Sequence, residues 1–200
     1  WIWATLLSAM FSLLIFVGPI EVLVPFVIKN KLLLGPESLG LIFAFGGIGS
    51  LVMSVLIGVL GLPRRRVTVM YISWAFGVGF TATYGLMTTL WQALVISFVL
   101  QASFMLGQVI WTTMLQQLVP RELLGRVSSL DWLMSIGLVP LSYALTGPVS
   151  GVLGPDTTLI VAGLLGSVFM FGLLFVPGVR DPERIEAPLA DPARSAASGA

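Results

Sequence analysis

Gln101 and Gln108 stand seven positions apart in "ISFVLQASFMLGQVIWT", residues 96–112, a stretch that is otherwise almost wholly apolar. Seven residues return a helix to within about 20° of its starting face, so the two amides share one side. Ser97 and Thr112 flank that face, and Gln116 extends it. An unpaired amide in hydrocarbon is costly. The stripe therefore meets either a partner helix, through structural hydrogen bonds, or a wet cavity in which the amides touch a solute. Trp111 beside it either packs as an aromatic or stacks on an organic solute.

Glu21, in "GPIEVLVP", is the one acid well inside an apolar run. Pro19 and Pro25 interrupt the i to i−4 bonds around it and free the carbonyls of Ile15 and Glu21. Intramembrane acids carry protons or bind cations, which makes Glu21 the candidate for proton coupling. The alternatives are a place at the outer interface or a pair with Lys29 or Lys31. Asp131 has a simpler reading. Ser128 can cap a helix, and Asp131 three residues on can complete the cap near the positive helix end. Arg64, Arg65 and Arg66 lie in a short break, and Arg126 lies in another. They either fix topology or hold a gate. The chain has no cysteine and no histidine, which removes disulfides, the usual zinc ligands and imidazole acid–base chemistry. No metal or cofactor is expected.

These residues must be positioned by membrane helices. The chain is 57% hydrophobic and only 10% charged, with a mean hydropathy of +1.03. A soluble domain needs far more charge to cover its surface. A crossing helix takes roughly 20 apolar residues. Stretches of that kind cover 4–28, 37–61, 67–88, 91–118, 127–149 and 156–177, separated by breaks rich in Pro, Gly and charge. Backbone groups in lipid must pair within their own segment, so these are six helices and not strands. The expected organisation is a bundle over 1–178 and a disordered cytoplasmic tail over 179–200, where Pro, Ala and Ser dominate.

Arginine orients the bundle. Arg64 to Arg66, Arg121, Arg126, Arg180, Arg184 and Arg194 fall on one face, and only Lys29 and Lys31 fall on the other. The arginine side is expected to be cytoplasmic, with both ends of the chain there. The chain opens on Trp1 and is already apolar at residue 3, so it is expected to begin inside a longer protein. No signal peptide can be argued. A net charge of +1 gives no footprint for nucleic acid, and none is expected as a partner. Small residues four apart form grooves on two spans: Gly46, Ser50, Ser54 and Gly58, then Ser73, Gly77, Thr81 and Gly85. They suit close helix packing, or a surface that slides during a conformational cycle.

At "LPRRRVTVMY", "VPRELLGRVSSLDWL" and "LTGPVSG" the chain resembles the C-terminal six-helix half of the major facilitator superfamily, nearest the bacterial siderophore and drug exporter branch. The resemblance covers roughly residues 1–180, and its most specific part runs from Pro120 to Trp132. The basic loop 64–66 occupies the place of the family's cytoplasmic signature, but Leu62 stands where an Asp is usual. Gly147, Pro148 and Gly151 match part of the family's antiporter signature. The resemblance implies an N-terminal six-helix half as partner, a small organic solute, a proton gradient and a bacterial inner (plasma) membrane. It makes spans one and four cavity-lining helices, and places the Asp131 end of span five against the N-terminal half. The implied function is proton-coupled export by alternating access.

Other classes remain open on the residues alone. A membrane enzyme such as a lipid transferase would need clustered acids or histidines near one interface; histidine is absent and the acids are scattered. A non-transporting scaffold or receptor would not need a polar stripe through the membrane. A half-size transporter working as a homodimer is the third alternative.

Overall fold

The computed structural model describes residues 2–177 and 179–180. Among these, every regular element is helical. The order is α1 (Ile2–Gly18), a π turn (Pro19–Leu23), α2 (Val24–Asn30), α3 (Pro36–Leu60), α4 (Arg66–Phe80), α5 (Ala82–Leu86), α6 (Leu90–Leu118), α7 (Arg121–Ile136), α8 (Val139–Leu153) and α9 (Pro155–Gly172), closed by a 3-10 turn at Leu173–Phe175. Five segments are long and apolar enough to cross a membrane: Met10–Asn30, Pro36–Leu60, Leu90–Leu118, Arg121–Leu153 and Pro155–Phe175. The chain is thus an all-α protein built from multiple membrane-length helices. Most of the expected tail, with Arg184 and Arg194, lies outside the described residues.

The third expected span, 67–88, is two helices with one residue between them. At Thr81 the bonding tightens: its N–H donates to the Val78 carbonyl at 3.1 Å, and its own carbonyl accepts from Tyr84 N–H at 3.0 Å. The Thr81 and Thr83 hydroxyls bond back to the carbonyls of Gly77 and Phe80. Hydroxyls bonded to the preceding turn bend helices, which a count of apolar residues does not register.

The fifth span also differs from its expected bounds. The sequence places its start at 127, but α7 starts at Arg121, directly after Pro120. Proline sets φ there to −54° with ψ at 143°, and Glu122 falls in the first turn near the positive helix end. Asp131 is therefore mid-helix, and the cap built from Ser128 and Asp131 does not exist. A turn at Gly137–Leu138 then separates α7 from α8.

Glycine lets the helices approach. Gly49 of α3 sits against the backbone of Phe98 in α6, and Gly46 sits against Ser97 and Gln101. Gly107 of α6 makes room for the Trp74 indole of α4. Gly163 of α9 lies against the Ala82 backbone, and Gly18 meets Ser142 and Thr146 of α8. The two expected grooves are only partly used as such. On α3, Gly46 and Ser50 face α6, while Gly58 has no atom within 4 Å. On the third span, Gly77 faces α6, but Gly85 faces Asp156 and Ile160 of α9.

Two apolar clusters stack along the bundle. One gathers Val67, Tyr71, Trp74, Ile110, Val119 and Val179; the other gathers Val27, Ile28, Ile42, Met87, Ala93 and Leu159. The first lies at the end that carries the 61–65 loop, where Arg66 Nη1 donates to Gln117 Oε1 at 2.6 Å. The second lies at the opposite end, where Lys31 Nζ meets Asp156 Oδ2 at 2.9 Å.

Candidate functional site: an aromatic cleft with two carboxylates

The π turn follows from proline. Pro19 has no N–H and its ring clashes with the preceding turn, so the helix takes wider i→i+5 spacing over Pro19–Leu23. The Gly18 N–H finds its acceptor on another helix, Ser142 Oγ at 2.8 Å. Glu21 sits inside this turn, in the locally irregular helix that the sequence indicates. Its partner is neither lysine: the Tyr143 hydroxyl of α8 donates to Glu21 Oε2 at 2.8 Å. Lys31 is engaged elsewhere, with Asp156 and the Gly85 carbonyl.

Glu21 and Tyr143 stand on the wall of a cavity of about 580 Å³ between α1, the π turn, α6, α7 and α8, with Trp74 of α4 and Met170 of α9 behind it. Asp131 of α7 is on the same wall and accepts from the Trp111 indole N–H of α6 at 3.1 Å. Gln108 lies one turn before Trp111 and also lines the cavity. Trp132 lines it while remaining 64% exposed, so the cavity is a cleft open beside α7 and not a sealed void. Its walls are mainly apolar and aromatic, with a few fixed polar groups, as ligand sites generally are.

The polar stripe divides. Gln108 and Trp111 reach the cleft; Ser97, Gln101 and Thr112 do not. The buried Ser97 hydroxyl donates to the Ile42 carbonyl at 2.8 Å and ties α6 to α3. Gln101 lies further along, with its Cγ near Gly46 and its carbonyl 3.5 Å from Ser50 Oγ. Thr112 bonds back to the Gln108 carbonyl at 2.9 Å. The seven-residue spacing puts both glutamines on one face and both are exposed, but only Gln108 lies at the level of the cleft. Trp111 is buried, at 4% exposure, with its ring nitrogen committed to Asp131.

The basic residues stand apart from the cleft. Arg64 and Arg65 are exposed in their loop, Arg66 reaches Gln117, and Arg126 is exposed on α7. Asp131, expected in the first turn of span five, belongs to the cleft instead, because α7 starts six residues earlier and makes it a mid-helix residue. Among the described residues, no group of three or more His, Cys, Asp or Glu comes together that could hold a metal ion.

Sequence reasoning missed Tyr143, Trp132 and Trp74. Tyrosine did leave a signal: a phenol well inside an apolar span needs a hydrogen-bond partner, and Glu21 is an obvious acceptor. Comparison with family models finds no match, and neither curated proteins nor solved structures give one.

Proposed function

We propose that this chain is one six-helix half of a secondary active carrier, the C-terminal half in a major facilitator arrangement, that moves amphipathic organic molecules in exchange for protons. The cleft is the observation that carries this reading. Its volume of about 580 Å³ suits a drug-sized molecule, and its walls mix aromatic rings with two carboxylates, each held by one ring donor. A purely structural helix interface would fill such a space with side chains. Irregular helix backbone at membrane depth belongs where it lines a cavity, and the π turn under Glu21 does so.

In this reading the cleft faces the N-terminal half, and the two halves rock about it. Helix α7 has no buried residue, and much of α3 is exposed, which leaves both free to meet that partner. Glu21 gains and loses a proton during the cycle, with the Tyr143 hydroxyl holding its carboxylate in place. Gln108 and Trp111 contact solute. No bond of the solute is made or broken. The arginine-bearing end faces the cytoplasm of a bacterial cell, and both termini lie there.

The test is flux in vesicles containing the full natural protein, with and without an imposed pH gradient, using drug and siderophore panels. Glu21→Gln is expected to fold and to lose proton-driven flux. Transport that keeps its full pH dependence in Glu21→Gln removes Glu21 from the mechanism.

A further inference from the structure

The charges lining the cleft are all of one sign. Glu21 and Asp131 contribute carboxylates, and among the described residues no lysine or arginine lines the cleft. Histidine is absent from the whole chain. Each carboxylate spends one oxygen on a ring donor, Glu21 Oε2 on Tyr143 and Asp131 Oδ2 on Trp111. Among the described residues, Glu21 Oε1 and Asp131 Oδ1 make no other hydrogen bond. Aromatic rings surround them: Phe16, Trp74, Phe104, Trp111, Trp132 and Tyr143 all line the space. Ring faces carry negative potential and attract cations, most strongly organic ammonium-type groups that shed water easily.

We propose that the cleft selects bulky organic cations and rejects organic anions of the same shape. This rests on the carrier reading and names its substrate class. An organic cation gains from both sets of groups at once: its charge sits between the carboxylates, and its apolar body lies on the rings. An anion meets two like charges in a mainly apolar cleft, with no countercharge to offset them. The basic groups do not line the cleft: Lys31 is held at one end by Asp156, Arg66 at the other by Gln117, and Arg126, five residues before Asp131 on α7, is exposed outside it.

The carboxylates also divide the labour. Glu21 sits in the π turn of the first span, and Asp131 sits mid-helix in α7. They reach the cleft from different helices, so a cation held between them links the π turn to α7. Asp131 thereby becomes a specificity-determining residue.

The probes are tetraphenylphosphonium and tetraphenylborate, nearly the same shape with opposite charge. Equilibrium dialysis against the purified full-length protein, corrected for micelles alone, measures both. The phosphonium is expected to bind at least roughly tenfold more tightly than the borate. Asp131→Asn should reduce phosphonium binding by about tenfold, Asp131→Glu should retain most of it, and Glu21→Gln with Asp131→Asn should level the two ions. Equal or tighter borate binding by the unaltered protein overturns the inference and leaves the carrier reading standing. The inference is likewise overturned, and the carrier reading kept, if neither ion binds while some other solute crosses vesicles. If neither ion binds and no solute in the panels moves, both readings fall.

Discussion

At the residue scale the chemistry rests on two ring-to-carboxylate hydrogen bonds. Tyr143 is 39% exposed, so its ring is not a packed anchor, and Tyr143→Phe should leave the fold intact. It removes the donor to Glu21 Oε2. A hydrogen bond to a charged group contributes about 1.5–3 kcal/mol, which corresponds to a loss of roughly tenfold or more in proton-driven flux. Flux that is unchanged under a pH gradient would separate the phenol from the coupling step. Glu21 and Gln108 were legible in the sequence because a charge or an amide in an apolar run demands an explanation. Trp132 was not, because aromatic residues are ordinary membrane-helix surface, and Tyr143 left only its phenol's need for an acceptor as a sign. Asp131 was misplaced for a different reason. Ser128 and Asp131 fit a capping pattern by spacing, but Pro120 starts the helix earlier, and the pattern then falls inside it.

At the element scale, approach distance decides which glycines matter. A Cβ at position 49 would meet the Phe98 carbonyl of α6, whereas one at position 58 meets nothing within 4 Å. Gly49→Val should therefore destabilise the α3–α6 pair by about 1–3 kcal/mol, while Gly58→Val should be close to neutral. Thermal unfolding of the detergent-solubilised protein distinguishes them; equal losses at both positions would contradict the packing described. The four-residue spacing made Gly46 and Ser50 legible as a packing face. It did not reveal that Gly49 makes the tightest approach on α3, or that the third span turns from α6 toward α9 along its length. Spacing on one helix defines a face; only the partner's position decides which part of that face is used. The proline pair at 19 and 25 did announce an irregular turn, because the missing N–H groups are a local property of the sequence.

At the scale of the whole molecule, helix count and helix ends follow from length, hydropathy and breakers, and the first, second, fourth and sixth spans fall close to their expected bounds. Which spans surround a common space is not a local property. Segments distant in sequence build the cleft, and the stripe on α6 enters it only at Gln108 and Trp111. The most direct measurement places single thiols at 97 and 108, where this chain has no cysteine of its own to compete, and reads their access to water. In the full natural protein in membranes, Gln108→Cys should react with a charged, water-soluble thiol reagent and be protected by a bound solute. Ser97→Cys, buried between α3 and α6, should stay unreactive. A thiol at 108 that remained sealed in every state, with or without solute and at every pH gradient, would contradict the water-accessible cleft on which the carrier reading depends.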